Sequence, residues 1–264
     1  MQFTIFGKFK YFCGMEWFKT WFNTPYYHIL YQDRDYKEGE QFLEKLIDVL
    51  NLQPPSKIID LACGKGRHSV FLNKMGFDVL GLDLSEESIS YNKKFETPAS
   101  FNLTKPSLKF DVHDMRNPIK SEKVDAVFNL FTSFGYFKTD EEDQSVFSSV
   151  SNILKENGLF VLDFMNAEFV KNNLVEEEKI KKGNILFTIK KRIENQHIIK
   201  EINFNVEGKD LQFEEKVKLL DLSSIEIFAK NVGLERVKLW GDYQLNSFKE
   251  NSSPRCIILF KKIK

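Results

Sequence analysis

Cysteine, proline and histidine are all scarce in this chain, and neither sign of charge is in excess. Each shortage removes a class of protein. The three cysteines, Cys13, Cys63 and Cys256, are odd in number, far apart and without metal-ligand spacing. A disulfide framework and a zinc site are both argued against, no metal is expected, and a reducing cytoplasmic setting is the default. Lys plus Arg (38) equals Asp plus Glu (38), so the chain lacks the global field of a nucleic-acid binder. Lys179, Lys181, Lys182, Lys190, Lys191 and Arg192 do crowd together. A charged solvent face on an edge hairpin explains them more cheaply than an RNA contact. No apolar run reaches the roughly 18 residues that would insert in a bilayer. Residues 1–14 are aromatic but lack an aliphatic segment and a small-residue cleavage site. They read as a disordered leader, with Met15 as the expected start.

What is present is enough apolar sequence for a full core, 42% of 264 residues, with 26 phenylalanines. Residues 15–56 read as helical: Phe42, Leu43, Leu46, Ile47 and Leu50 form an apolar stripe that Pro54-Pro55 ends. Residues 57–165 then alternate strand and helix. Strands are expected at Lys57 to Leu61, Phe77 to Leu82, Leu108 to Val112, Val124 to Leu130 and Gly158 to Phe164. Helices are expected from Arg67 to Met75, from an N-cap at Ser85, and from Glu141 to Lys155. This alternation predicts an α/β, doubly wound, Rossmann-like parallel sheet. Residues 166–220 change character: Ile185 to Ile193, Ile198 to Val206 and Leu211 to Leu219 alternate as an inserted antiparallel β meander. Its turns fall at Asn195-Gln196 and Glu207-Gly208-Lys209-Asp210. Residues 221–264 return a helix capped at Ser223 and two last strands, the final one antiparallel in an expected sheet of about seven strands.

The densest information lies at Asp60-Leu61-Ala62-Cys63-Gly64-Lys65-Gly66-Arg67-His68. A strand ends in an acid, a Gly-x-Gly turn follows, and the next strand ends in Asp83. Such a turn serves nucleoside cofactors. A pyrophosphate-binding turn usually carries a third glycine three residues on, and here that residue is Ser69. S-adenosyl-L-methionine (SAM) carries no phosphate. Asp60 suits its cationic methionine end, and Gly64 and Gly66 let the backbone pass close to a ligand. Asp83 suits the two ribose hydroxyls and Asp114 the adenine amino group, with Asp111 and His113 as rivals of Asp114.

With these motifs the chain resembles the class I SAM-dependent methyltransferases. Leu82-Asp83-Leu84-Ser85, Phe110-Asp111-Val112-His113-Asp114-Met115-Arg116, Val124 to Phe131 and Leu154 to Phe160 match in order and spacing. The flanks resemble the subgroup with a small antiparallel insertion after the fifth strand. The resemblance implies that Asp60, Ala62, Cys63, Gly64 and Gly66 hold the methionine part, Asp83 and Leu84 the ribose, and Asp114 and Met115 the adenine. Asn129 and Leu130 then lie beside the reactive methyl. Tyr27 (or Tyr26) matches a tyrosine that closes over the cofactor, and residues 15–56 with the insertion would form a lid.

Other residues have blander readings. Cys63 is a small filler rather than a nucleophile, and His68, on a first helical turn, packs or caps. Phe134, Tyr136 and Phe137 either line an acceptor pocket or seal the core. Tyr136, His28 or a water are candidate bases, and none is assigned. Residues 130 and 131, Leu and Phe, replace the Pro-Pro of base and glutamine N-methylation. The expectation is methyl transfer from SAM to a small or medium-sized acceptor. The alternatives are an NAD(P)-dependent oxidoreductase and a SAM-binding protein without catalysis.

Overall fold

The computed structural model describes residues 16–32, 36–97 and 106–263; the expected leader, residues 1–14, lies outside them. The chain divides into two compact units. Residues 16–32 and 173–218 form the smaller one, and residues 36–97, 106–172 and 219–263 the larger.

The larger unit is built on a seven-stranded sheet. Its strands are β1 (Lys57–Leu61), β2 (Asp78–Asp83), β3 (Leu108–Val112), β4 (Val124–Asn129), β5 (Leu154–Met165), β10 (Leu234–Trp240) and β11 (Arg255–Lys262). They lie in the order β10-β11-β5-β4-β1-β2-β3. Only β11 runs against its neighbours, pairing antiparallel with both β5 and β10. Its helices are α3 (Tyr36–Leu50), α4 (Arg67–Lys74), α5 (Glu86–Asn92), α6 (Asp140–Ile153), α7 (Ala167–Asn172) and α8 (Leu222–Lys230). The chain runs β1 to β2 to β3 in one direction and then starts again at β4 on the other side of β1. The β1/β4 boundary is thus the switch point, where an open α/β sheet leaves a crevice outside its strand ends.

Local sequence explains these elements. Phe42, Leu43, Leu46 and Ile47 bury one stripe of α3 in a core with Ile58, Leu72 and Phe128. Ser85 accepts the Ser88 N–H at 3.1 Å and caps α5. Thr139 and Glu142 form a reciprocal capping box on α6.

The smaller unit holds α1 (Trp17–Trp21), α2 (Pro25–Leu30) and a four-stranded antiparallel sheet. That sheet runs in the order β6 (Glu177–Lys182), β7 (Ile185–Glu194), β8 (His197–Val206), β9 (Lys209–Lys218). Phe187, Ile189, Ile202 and Phe204 cluster with Trp21 and Leu30. Beneath them Glu215 is buried and accepts from Trp21 Nε1 and Tyr31 OH, each at 2.8 Å, with Lys200 at 3.1 Å. These donors hold its carboxyl below the usual range despite burial.

Several expectations change. Among the described residues the helical stretch 15–56 holds three helices, and the third belongs to the larger unit. The meander gains a fourth strand, β6, in which five of six residues are charged and only Ile180 is apolar, so no hydrophobic alternation marked it. Lys209 and Asp210 are strand, because Glu207 and Gly208, both at positive φ, suffice for the turn. The fifth strand starts at Leu154, four residues early, with an irregularity at the β4 pairing that passes Asn157 in the left-handed region. The cap of α8 is Asp221, which accepts the Ser224 N–H at 2.7 Å, in place of Ser223. Lys191 and Arg192 face acids: Glu178 for the first, and Glu194, Glu201 and Glu214 for the second.

Candidate active site

The site is built at the ends of β1, β2 and β4. After Leu61 the backbone enters the left-handed region at Ala62 (φ 64°), Gly64 (φ 53°) and Gly66 (φ 71°). The turn is closed by Cys63 N–H to Leu82 O and Gly66 N–H to Cys63 O, each at 3.0 Å. The two glycines serve different needs. A Cβ on Gly66 would lie 2.8 Å from the Phe110 ring, so the position admits only hydrogen. A Cβ on Gly64 would meet nothing within 4 Å, which leaves its backbone open to a ligand.

Asp83 ties the turn to the second strand. Its Oδ2 accepts the Gly64 N–H at 2.7 Å and its Oδ1 the Ser85 N–H at 2.8 Å. Burial raises its carboxyl, and the N–H groups of Ser85, Gly64 and Leu84 restrain that rise. Each oxygen keeps acceptor capacity, so the group remains able to take a diol. Asp60 is buried at the end of β1, and its Oδ2 accepts from Ser69 Oγ at 2.6 Å. Burial pushes its carboxyl up to about 6, against the opposing Ser69 bond. Ser69 therefore occupies the place of the third glycine with a side chain that pins α4 to β1. A pyrophosphate-binding turn needs that place empty.

Two buried asparagines complete the floor. Asn129, ending β4, donates to Leu61 O at 3.0 Å and Ser133 O at 3.3 Å. Asn92, on α5, donates to Gly64 O at 2.7 Å. The Oδ1 of each is buried and bonds nothing among the described residues. These orphan acceptors, the open Gly64 backbone and the fixed Asp83 carboxylate fit a ligand that brings several N–H and O–H donors.

The other expected residues are placed as follows. Asp114 is engaged by Arg116, with Nε at 3.0 Å and Nη2 at 2.6 Å, and Arg116 continues to Glu142 at 2.7 Å. Met115 follows it in the loop after β3, while the rival Asp111 is exposed beside Lys93. Leu130 is buried in the core, and Leu84 lies between Asp83 and the Ser85 cap. Cys63 is buried, and burial pushes its thiol well up, which suits a filler. Tyr27 belongs to the smaller unit, where its ring packs on Trp21, Phe22 and Tyr31. His68 accepts from Arg67 Nε at 3.1 Å and stacks on Phe131 at 4.7 Å, so it packs. Phe134 and Phe137 seal the core: Phe134 meets Phe147 and Phe164 edge-on, and Phe137 lies under Arg116.

Sequence reasoning missed a second cluster at the same sheet edge. Phe131 and Thr132 both take left-handed backbone, φ 59° and 61°. That is strain of roughly 1–2 kcal/mol each for residues with a Cβ. Asp163, fully buried in β5, holds both: Oδ2 accepts the Phe131 N–H at 2.7 Å, and its carbonyl accepts the Thr132 N–H at 3.0 Å. Arg255 Nε and Nη2 pair with Asp163 Oδ1 at 2.8 and 2.6 Å, and Tyr243 OH donates to Oδ2 at 3.2 Å. The signal was an acid in one apolar strand and an arginine opening another, each of which requires a partner when buried.

A seven-stranded sheet of this order, with a glycine turn and acid-tipped strands at its switch point, defines the class I SAM-dependent methyltransferase fold. A family profile described as a methyltransferase domain matches residues 52–216, more than half of the chain. The chain belongs to this methyltransferase family, which uses SAM. It is 35% identical over 114 residues to the candidate methyltransferase YqeM of Bacillus subtilis, covering 43% of this chain and 44% of that protein. It is 30% identical over 120 residues to the dTDP-3-amino-3,4,6-trideoxy-alpha-D-glucopyranose N,N-dimethyltransferase of Streptomyces venezuelae, covering 45% and 47%. The chain thus spans about half the length of the curated relatives it matches. The fold is shared with a SAM-dependent methyltransferase from Clostridium acetobutylicum, at a TM-score of 0.73 and 21% identity over 89% of this chain and 95% of that one. Among the described residues no cluster could hold a metal ion, and no helix is long and apolar enough to cross a membrane.

Proposed function

We propose that this chain transfers the methyl group of SAM to a small or medium-sized acceptor at the β1/β4 switch point. The observation that carries the reading is the Asp83 carboxylate bound to Gly64 N–H beside an open Gly64 backbone. Bound there, SAM supplies an electrophilic methyl on a positively charged sulfur with a good leaving group. The protein then has mainly to position the two reactants and exclude water.

Asp83 takes the ribose hydroxyls. The turn from Asp60 to Gly66 holds the methionine part, where the cationic amine also relieves the cost of ionising buried Asp60. Asp114 and Met115 border the adenine, Asp114 with its carboxylate oriented by Arg116. Asn129 and Leu130 stand at the reacting centre, and the orphan Asn129 Oδ1 suits an N–H of the acceptor. A nitrogen acceptor is supported by the names of two relatives: the amino-sugar dimethyltransferase above and a glycine/sarcosine N-methyltransferase of Aphanothece halophytica, 28% identical over 137 residues.

The test is twofold. Calorimetric titration with S-adenosylhomocysteine and with NAD should give binding of the first alone. Incubation with methyl-labelled SAM and a panel of amino sugars, glycine and sarcosine should label one class. Binding without labelling of any acceptor would favour a non-catalytic SAM-binding protein, and binding of NAD alone would overturn the reading.

A further inference from the structure

We propose that Arg255 and Thr132 form a recognition corner for an anionic oxygen group on the methyl acceptor, a carboxylate or a phosphate. The proposal rests on the methyltransferase reading and names what the acceptor carries away from its reacting atom.

Position comes first. Arg255 opens β11 opposite Met165, the last residue of β5. It therefore stands at the edge where β1, β2 and β4 also end and where the cofactor residues gather. Thr132 lies three residues beyond Asn129 on the loop leaving β4.

Donor counting gives the chemistry. Arg255 spends Nε and Nη2 on one oxygen of Asp163, at 2.8 and 2.6 Å, and Nη2 also donates to Thr132 Oγ1 at 2.8 Å. Nη1 bonds nothing among the described residues, and the side chain is 17% exposed. A guanidinium has five N–H donors, so a charged corner with two of them is left over. The Thr132 hydroxyl accepts from Arg255, which leaves its own hydrogen to donate, and it too meets no acceptor among the described residues. Asp163 cannot bind a cationic group in exchange. Its second oxygen already takes Phe131 N–H and Tyr243 OH. The unspent hydrogens of the corner, two on the Arg255 guanidinium and one on the Thr132 hydroxyl, are donors with a cation among them.

Rigidity adds to this. The Tyr243 ring lies 5.5 Å from the guanidinium carbon, and Thr132 is fixed by its left-handed backbone and its N–H bond to Asp163 O. Donors that are already ordered lose little entropy on binding. A charge-assisted bond to an anionic oxygen is about twice as strong as one to a neutral oxygen. The buried ion pair holds the strained backbone of Phe131 and Thr132, and so keeps the corner in one geometry.

The experiment titrates the protein saturated with S-adenosylhomocysteine with sodium acetate, inorganic phosphate and acetamide, followed by NMR at constant ionic strength. Acetate or phosphate should bind at millimolar concentration and acetamide about tenfold more weakly. The anion that binds identifies the source as carboxylate or phosphate. Arg255→Met should weaken that anion at least roughly tenfold and leave S-adenosylhomocysteine affinity within about twofold. Thr132→Val retains the ion pair, and so tests the corner even if Arg255→Met does not fold; it should weaken the anion roughly threefold or more. Acetamide binding as tightly as both anions, no binding of either anion, or equal affinity in wild type and Thr132→Val would each overturn the proposal. Failure of the wild type to bind S-adenosylhomocysteine would instead overturn the methyltransferase reading.

Discussion

The carboxylate of Asp83 accepts the backbone N–H of Gly64 at 2.7 Å, across 19 residues of sequence. This bond joins the end of β2 to the turn after β1, so one contact sets both the proposed ribose acceptor and the proposed methionine cradle. Asp83→Ala removes it together with the proposed ribose bonds. S-adenosylhomocysteine affinity should fall by about 1.5–3 kcal/mol, roughly tenfold to 150-fold. Titration calorimetry reads this directly, and an unchanged dissociation constant would reject the ribose assignment.

Gly64 and Gly66 should respond differently to alanine. Gly64→Ala meets no atom within 4 Å and suffers only the left-handed backbone penalty, about 1–2 kcal/mol. It should fold with a melting temperature lowered by a few degrees and yet lose cofactor affinity, because the methyl enters the cradle. Gly66→Ala adds a contact of 2.8 Å with Phe110 and should lose far more stability. Thermal melts with and without S-adenosylhomocysteine separate the two. Equal melting temperatures for the two variants would contradict this division.

Two buried carboxylates should give the apo protein opposite pH dependences. Asp60 is raised from 3.8 to about 6 by burial, so the folded state binds its proton more tightly than the unfolded state. Its contribution to stability is greatest below about pH 4 and falls as pH rises towards about 6. Glu215 is lowered from 4.5 by Lys200, Trp21 and Tyr31 despite its burial. Its contribution is present above about pH 4.5 and is lost as pH falls below that value. The unfolding free energy of wild type minus that of Asp60→Asn, from denaturant unfolding, should therefore fall between about pH 4 and pH 6, by an amount on the order of 3 kcal/mol in all. The difference for Glu215→Gln should shrink on going the other way, below pH 4.5. A flat difference for Asp60→Asn would show that its carboxyl is not perturbed.

Phe134 distinguishes a sealed core from an acceptor pocket. It is buried against Phe147 and Phe164. Phe134→Ala should cost about 3–5 kcal/mol of stability through the cavity it leaves. Denaturant unfolding measures this, and a loss below about 1 kcal/mol would point to an open site.

Much of this was legible in the residues. The alternation of apolar strands with capped helices follows from local chemistry, so β1 to β4, α4 and α5 fall close to where periodicity puts them. The acids and glycines of the cofactor turn were legible for the same reason: a strand end, a turn and a cap are encoded within a few neighbouring residues. Boundaries were lost where a charge pattern hid a strand, as in β6, or where two turn residues, Glu207 and Gly208, did the work expected of four.

The amino-acid sequence by itself determined the class of sheet and the glycine turn, because each depends on short-range patterns of burial and backbone freedom, and its motifs carried the resemblance that implies SAM. Only the tertiary structure decided which polar groups meet. It paired Ser69 with Asp60, gave Asp114 to Arg116, and brought Asp163, Arg255, Tyr243 and Thr132 together from four separate segments. A buried charge announces in sequence that it needs a partner, but the choice of partner is made by strand order and register, which no local pattern contains.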